Sequence, residues 1–328
     1  MISIVIPLYN KALTIAGTLS AVLGQTFHSY EVILINDGST DGSAQVVFDL
    51  LIDKGYKIVE ISQDHWVTQD GKFSLVSQPN GGVSRARNRG IMEAQYDYIS
   101  LLDADDAWEP QYLATIVELI QKYGEHCDLF ATAYRFYHGE GVYSDLKLNN
   151  LHINGTDGIL KNYFEVASHS HPPIWSSNVV ISKAALNSVH GFPVGIHSGE
   201  DLLTWARLAA RYSIAYNLLP LAVFNQPESA DFKPKRLPDP QNKVGAELMI
   251  LWKETRAPGL KQYIGRWFEM RTSVYLRLGE NKAAFRSLLS ALRFEFKLKY
   301  IVYTMLIILP VKWRLKAFSH RSQYNNKH

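Results

Sequence analysis

The stretch Leu101-Leu102-Asp103-Ala104-Asp105-Asp106 places three carboxylates within four residues at the end of an apolar run. Like charges that close repel strongly unless something compensates them. A divalent cation such as Mg²⁺ or Mn²⁺ would do so. Mg²⁺ takes one or two carboxylates and completes its shell with phosphate oxygens, and a metal held that way can neutralise a departing diphosphate. On the carboxylates alone, a solvated acidic turn leading into a helix near Pro110 fits equally well.

Three further stretches carry candidate chemistry. Asn36-Asp37-Gly38-Ser39-Thr40-Asp41-Gly42 offers a carboxylate, Asp37, able to accept hydrogen bonds from a nucleobase or ribose, beside a glycine that permits close backbone approach. Thr40 or Asp41 is expected to cap the helix that follows. Asn80-Gly81-Gly82 opens a second helix, and backbone N–H groups at a helix start attract phosphate. Arg85 and Arg87, two positions apart on that helix, point to different faces, so one can face a ligand and the other solvent. Gly199-Glu200-Asp201 pairs two acids at another helix start. They favour the macrodipole there, or one of them serves as a general base for an attacking hydroxyl. His169-Ser170-His171 sits in a loop and is assigned no metal role.

The elements that must position these residues alternate. Ile2–Pro7, Glu31–Asn36, Lys57–Ile61 and Tyr98–Leu102 read as strands; Ala12–Leu23, Gly42–Asp53 and Val83–Gln95 read as helices. Such alternation implies an α/β fold with parallel strands and helices on both faces, in which ligands bind at the carboxyl ends of the strands. Residues 63–77 read as an insertion with a turn at Asp70-Gly71. Glu109–Tyr123 reads as a helix with Pro110 in its first turn, residues 128–148 and Asn178–Ile181 as strands, and Asp201–Arg211 as a helix. Pro227, Pro234, Pro238 and Pro240 mark 226–242 as a linker between a catalytic domain (1–225) and a helical region (243–328).

In order, Ser3 to Lys11 (Ser-Ile-Val-Ile-Pro-Leu-Tyr-Asn-Lys), Asn36 to Asp41, Asn80 to Asn88, Leu102 to Asp106 and Gly199 to Asp201 closely resemble glycosyltransferase family 2 over residues 1–220. The resemblance implies a GT-A fold, a Rossmann-like mixed sheet flanked by helices, here with a C-terminal helical extension. It implies an inverting, metal-dependent transferase of the hexosyltransferase type. A nucleotide-sugar, by family habit a UDP-sugar, would be the donor, and a glycan or lipid-linked hydroxyl in surface polysaccharide or glycolipid synthesis the acceptor. By the same resemblance Tyr9 stacks on the base and Asp37 hydrogen-bonds it. Pro7 shapes the pocket, and Arg87 reaches the base or diphosphate. Asp105 is the main metal ligand, Asp103 contacts ribose or metal-bound water, and Asp201 is the catalytic base. Glu200 and Trp205 fall on the acceptor side, with a core role equally open for Trp205. A nucleotide-sugar-forming nucleotidyltransferase would carry a glycine-rich loop after the first strand, where Leu8-Tyr9-Asn10-Lys11 stands instead. A non-catalytic nucleotide-binding protein is the other alternative.

Composition bounds the rest. The single cysteine, Cys127, excludes an internal disulfide and fits a reducing compartment. The run Ile2–Pro7 lacks the flanks of a leader and reads as a strand. Residues 231–328 hold 20 Lys/Arg against 7 Asp/Glu, whereas residues 1–230 hold 14 against 24. A basic tail on an acidic half suggests an anionic surface as partner. The aromatics lie in apolar runs, so no nucleic acid is expected. An anionic membrane engaged through 297–321 is, with Lys297, Lys299, Lys312, Arg314 and Lys316 on lipid phosphates and Tyr300, Tyr303, Trp313 and Phe318 at the interface; a helix that packs on the catalytic domain or in a dimer fits the same segment about equally well. The membrane reading puts the protein in the cytoplasm, peripheral at the inner face of the membrane.

Overall fold

The structure, a computed structural model, describes residues 1–226 and 237–315. The chain runs β1 (Ile2–Leu8), α1 (Ile15–Leu23), β2 (Tyr30–Asn36), α2 (Ser43–Asp53), β3 (Ile58–Ser62), β4 (His65–Thr68), β5 (Phe73–Ser77), α3 (Val83–Glu93), β6 (Tyr98–Leu101), β7 (Ala107–Trp108), α4 (Tyr112–Tyr123) and β8 (Leu129–Tyr137). It continues through β9 (Tyr143–Asp145), β10 (Asp157–Ile159), α5 (Tyr163–His169), β11 (Val179–Ser182), α6 (Lys183–Ser188), α7 (Glu200–Ala209) and β12 (Ile214–Asn225). The C-terminal helices are α8 (Lys243–Thr255), α9 (Leu260–Leu278), α10 (Asn281–Leu292) and α11 (Lys299–Ile308).

Among the described residues every strand joins one mixed sheet. β5, β2, β1 and β6 lie side by side and parallel. β1 and β2 are apolar along nearly their whole length because helices cover both faces of the sheet. β11 enters antiparallel between β6 and β8, and β12 runs parallel to β8. The insertion at 63–77 forms an antiparallel meander: β4 pairs with both β3 and β5 and widens the sheet at that edge. Its turn falls at Asp70-Gly71 as expected, held by Thr68 Oγ1 donating to Asp70 at 2.6 Å.

Two elements depart from the sequence pattern. β12 has no expectation in the sequence because Leu218-Leu219-Pro220 interrupts its alternation; the register shifts on both sides of Pro220, so the strand carries an irregularity there. Pro110 lies ahead of α4 and not in its first turn. Its carbonyl accepts from the Thr26 N–H at 2.9 Å, tying α1's exit to α4's entry.

The C-terminal helices share a core with the catalytic half. One buried cluster runs from Val5, Ile33 and Ile99 through Leu203 and Trp205 to Leu248, Ile264, Leu288 and Tyr300. Pro227 and Pro234 lie outside the described residues. The Asp239 carboxylate, between Pro238 and Pro240, accepts from the Lys243 N–H at 3.0 Å at the entry to α8.

The start of the basic tail takes the packing alternative: it lies against the core of the protein. Lys297 and Lys299 do not stand free for lipid: both pair with Glu269 of α9, at 3.6 and 2.7 Å, and Arg266 pairs with the same carboxylate. Glu269 is 1% exposed. Burial pushes its pKa up, but Arg266 and the two lysines outweigh that and hold it below the usual range. Tyr300 and Tyr303 are buried in the shared core. Arg314 donates to the Leu309 and Ile307 carbonyls, both at 2.7 Å. Lys316 and Phe318 lie outside the described residues.

Glu269 therefore anchors α11 to α9, and its removal leaves cations without their buried counter-charge. Glu269→Gln is expected to destabilise the chain by about 3 kcal/mol at neutral pH, measured by denaturant unfolding. A folded-state pKa below the unfolded one means the contribution is present above the carboxylate range and is lost as pH falls through the depressed value. The gap between variant and wild type should accordingly narrow on acidification; a gap independent of pH would remove Glu269's charge from the account.

Candidate active site

β1, β2 and β6 are neighbours, so the residues after their carboxyl ends converge. Tyr9 follows β1 and is 49% exposed, which leaves a ring face open. Pro7, half-buried, sits in β1 opposite Ile35. The loops after β1 and β2 are stitched together: the Asn10 N–H donates to Ser39 Oγ, the Thr40 N–H to Asn10 Oδ1 and the Ala12 N–H to Asp41 Oδ2. Asp41 is not the capping position itself. Gly42 holds that place in a left-handed turn, while Asp41 accepts from Ser43 N and Oγ.

Asp37 is 2% exposed. Its Oδ1 accepts from Gln78 Nε2 at 2.7 Å and the Gly81 N–H at 2.9 Å, and its Oδ2 from the Gly82 N–H at 2.8 Å. The glycine N–H groups expected to attract phosphate are thus occupied by a carboxylate of the chain itself. A carboxylate has about four lone-pair sites, so at most one remains for a base. Gly38 packs where a Cβ would lie 2.9 Å from the Asn80 backbone N, and its φ of +75° suits glycine. Asp37 thus sets the approach of α3 to the end of β2.

The carboxylates after β6 divide into roles. Asp103 accepts from Arg87 Nη2 at 2.6 Å, with its side chain 26% exposed. Asp105 pairs with Lys11, both about one-third exposed. Asp106 is 1% exposed and internal. It accepts from Ser177 Oγ at 2.7 Å and the Asn225 N–H at 3.2 Å. Burial, then the charge of Asp103, pushes its carboxyl well above the usual range. Ser177 Oγ also accepts from the Asp103 N–H at 3.0 Å, and the Asn225 amide donates to the Asp105 carbonyl. Asp106, Ser177 and Asn225 thus clip the 103–106 turn to the approach to β11 and the end of β12. Sequence reasoning missed Ser177 and Asn225, since neither sits in a recognisable motif; Asp106 was in view but carried no separate role.

Arg87 is the centre of the cluster. It is 4% exposed and lies 5.0 Å from the Phe192 ring centroid, whereas Arg85 is exposed, so the two point to different faces. Burial pushes the guanidinium pKa down, but Asp103, and then Asp201 and Glu200, raise it above the ordinary value. Asp103 is the paired acid, and the charges of Asp201 and Glu200 reach the same cation. Its Nε and Nη1 are buried without a partner in the protein, donors suited to phosphate oxygens.

Glu200 and Asp201 open α7 after Gly199. Asp201 is part-exposed and its Oδ1 accepts from the Leu202 N–H at 2.8 Å. Its charge also reaches the buried hydroxyls of Tyr163 and Tyr263, both held protonated chiefly by burial. Trp205 takes the core role. It has no exposed surface and meets Phe192 edge-to-face at 5.6 Å, so it cannot present a ring to an acceptor. Glu200 is itself 3% exposed. Asn88 braces the same floor, exchanging hydrogen bonds of 2.8 Å each way with the backbone of Phe192.

No group of three metal-ligating side chains occurs among the described residues. The donor chemistry nevertheless suits a hard divalent cation of the kind that keeps most of its shell for ligand oxygens. Asp105 and Asp103 are part-exposed carboxylates on one turn, and Asp106 is withdrawn into the interior on Ser177 and Asn225. His169 and His171 are engaged locally, with the Glu165 carbonyl and the Lys147 N–H.

A mixed sheet with acidic side chains at the ends of its parallel strands and a helix-start acid facing them is the GT-A architecture. The structure of S. aureus TarS 1–349 in complex with UDP-GlcNAc superposes with a TM-score of 0.65 at 16% identity, covering 89% of this chain and 80% of that one. A mannosyltransferase from Pyrobaculum calidifontis in complex with GDP-Man and Mn²⁺ gives 0.54 at 16% identity, over 99% and 87%. Residues 3–172, just over half of the sequence, match the model of glycosyl transferase family 2, and the chain belongs to that family. Glycosyltransferase GlyG of Streptococcus pneumoniae serotype 4 is 30% identical over 37% of this chain and 36% of its own length. The poly-β-1,6-N-acetyl-D-glucosamine synthase of Staphylococcus epidermidis is 34% identical over 32% and 21%. The chain thus spans about a third or less of the length of these curated relatives.

Gly199 positions the acids of α7 under two constraints. Its φ is +83°, and a Cβ there would lie 2.6 Å from the Trp267 ring of α9. Gly199→Ala is expected to cost about 2 kcal/mol of stability from backbone strain and overpacking. A thermal midpoint equal to wild type would show that the turn does not need glycine.

Proposed function

We propose that the chain transfers a sugar from a nucleotide-sugar, in the first instance a UDP-sugar, to an acceptor hydroxyl with inversion at the anomeric carbon. The observation that carries this reading is Arg87: one buried guanidinium draws together Asp103 of the Asp-x-Asp turn and the Glu200-Asp201 pair. A metal-motif acid and a candidate base thus flank the same small volume. Family membership and the named neighbours, which include a polysaccharide synthase and complexes with nucleotide-sugars, support the substrate class. The acceptor is a growing glycan or a lipid-linked sugar.

In this reading Tyr9 stacks on the base, and the one remaining acceptor of Asp37 meets its edge. Pro7 shapes the pocket wall beside them. Asp105, with Asp103, would hold Mn²⁺ or Mg²⁺, which when bound supplies positive charge for the leaving diphosphate. Lys11 occupies the Asp105 carboxylate with a cation of its own, and Arg87 donates toward the diphosphate oxygens. Asp201 accepts the proton of the acceptor hydroxyl. As the proton leaves, the acceptor oxygen forms its bond to the anomeric carbon from the face opposite the nucleotide. The bond from that carbon to the diphosphate oxygen breaks, and its electron pair departs with the diphosphate.

The class is tested by UDP release across a panel of UDP-sugars, with Mn²⁺ and with EDTA. Metal-dependent turnover of one donor is expected; calorimetry that detects no UDP binding, together with silence on every donor, would overturn the reading. Asp201→Asn is expected to keep donor affinity and lose about 10²–10⁴-fold in turnover; near-normal turnover would remove Asp201 as the base. Asp105→Ala is expected to weaken the Mn²⁺ dependence of UDP binding, and an unchanged Mn²⁺ titration would take Asp105 out of the metal's shell.

A further inference from the structure

α11 is two-faced in an unusual sense. Tyr300, Tyr303 and Leu306 face the core. The opposite stripe is not polar: Leu298, Ile301, Val302, Met305 and Ile308 recur at helical spacing, and Ile308 is 83% exposed. Trp313, 68% exposed, continues the patch beyond Pro310. Several large apolar side chains together on one exposed face mark an interaction surface, since single exposed ones are ordinary. The face is held rigidly, because Glu269 clamps Lys297 and Lys299 at the start of α11 and Arg314 ties the chain that follows it.

We propose that this face lies in the interface of an anionic lipid bilayer, with α11 parallel to the membrane. The charge pattern selects that occupant. Glu295 is the last acid in the sequence; after it come only cations, of which Lys297, Lys299 and Arg314 are engaged internally. Lys312 is exposed beside Trp313, and Lys316, Arg321 and Lys327 follow in the sequence. An isologous pair of these faces would bring two segments of like charge together, whereas phosphate headgroups neutralise them. The ten residues of α11 cover about 15 Å, half of what a bilayer crossing needs, and no described helix is long and apolar enough to cross a membrane. The helix therefore lies on the membrane and does not span it. Of the cations expected to touch lipid, Lys312 keeps that role beside the apolar stripe, while Lys297, Lys299 and Arg314 are engaged within the protein. The inference concerns a surface separate from the acid cluster and does not depend on sugar transfer.

The test is flotation of the full chain with vesicles of phosphatidylcholine alone and of phosphatidylcholine with about one-third phosphatidylglycerol. Binding to the anionic vesicles, weakened by high salt, is expected. Met305→Glu with Ile308→Glu should lower that partitioning about tenfold or more with the thermal midpoint unchanged, since both side chains are exposed. Trp313→Phe should remove a vesicle-induced blue shift of tryptophan emission. No flotation on anionic vesicles, or flotation the double variant does not reduce, overturns the proposal. So does equal binding to both vesicle types. A dimer seen by light scattering, broken by the double variant and accompanied by no vesicle binding, assigns the face to a second copy instead.

Discussion

A buried guanidinium behind the strand-end acids is the condition on which the rest of the site depends. Taking an arginine out of water costs several kcal/mol unless its charge is matched. Arg87 is matched by acids from two distant parts of the sequence, Asp103 after β6 and Glu200-Asp201 at the start of α7. The pairing works in both directions. Without the cation, those carboxylates would lose the charge that matches them; without the carboxylates, the cation would not stay buried. Helix α3 must therefore approach β1 closely, and Gly90 permits it: a Cβ there would fall 2.2 Å from Val5. The same helix is held at its start by Asp37, which spends its carboxylate on Gly81 and Gly82.

A second level of support fixes the acids themselves. The 103–106 turn has no regular structure of its own, so its backbone groups need partners from elsewhere. Thr18 donates to the Asp106 carbonyl and Thr14 to the Ala104 carbonyl from α1 and its approach. Ser177 and Asn225 complete the set from the far half of the sheet. Asp106 contributes as a buried, hydrogen-bonded strut whose pKa is pushed up by burial, and only Asp103 and Asp105 remain part-exposed on this turn.

What was legible in the sequence follows from this division. The strands and helices of the first hundred residues could be read because their apolar periodicity is set by burial on two faces, and the acids because they cluster. The partners of those acids could not be read. Ser177 and Asn225 are ordinary polar residues whose importance comes from contacts across 70 to 120 positions, which no local pattern records. Gly81-Gly82 misled for a related reason. The N–H groups do bind an anion, as a helix start should, but the anion is Asp37, far off in sequence. Trp205 shares a helix face with Asp201, yet spacing alone could not say that the face turns inward one turn later. β12 was hidden by Pro220, and with it the strand that delivers Asn225.

The C-terminal helices bring the same logic to the candidate base. Nothing about a basic, helical extension requires it to touch catalysis, and the prolines around 226–242 suggest a boundary. The core ignores that boundary, since Val244, Ile264 and Leu288 belong to the same buried cluster as Val5 and Trp205. The contact that matters is Gly199 under the Trp267 ring, because the turn presenting Glu200 and Asp201 has α9 as its backing. Trp267 is in turn oriented by its indole N–H on Asn242 at 3.0 Å, and Asn242 stands at the very start of the helical region. α9 also carries Glu269, the anchor of α11. One helix thus backs the acid turn at one position and, two residues on, holds the element with the exposed apolar face. A displacement of α11 has a short packed route to Asp201 through α9, and the extension is better understood as part of the wall of the site than as an appendage to it.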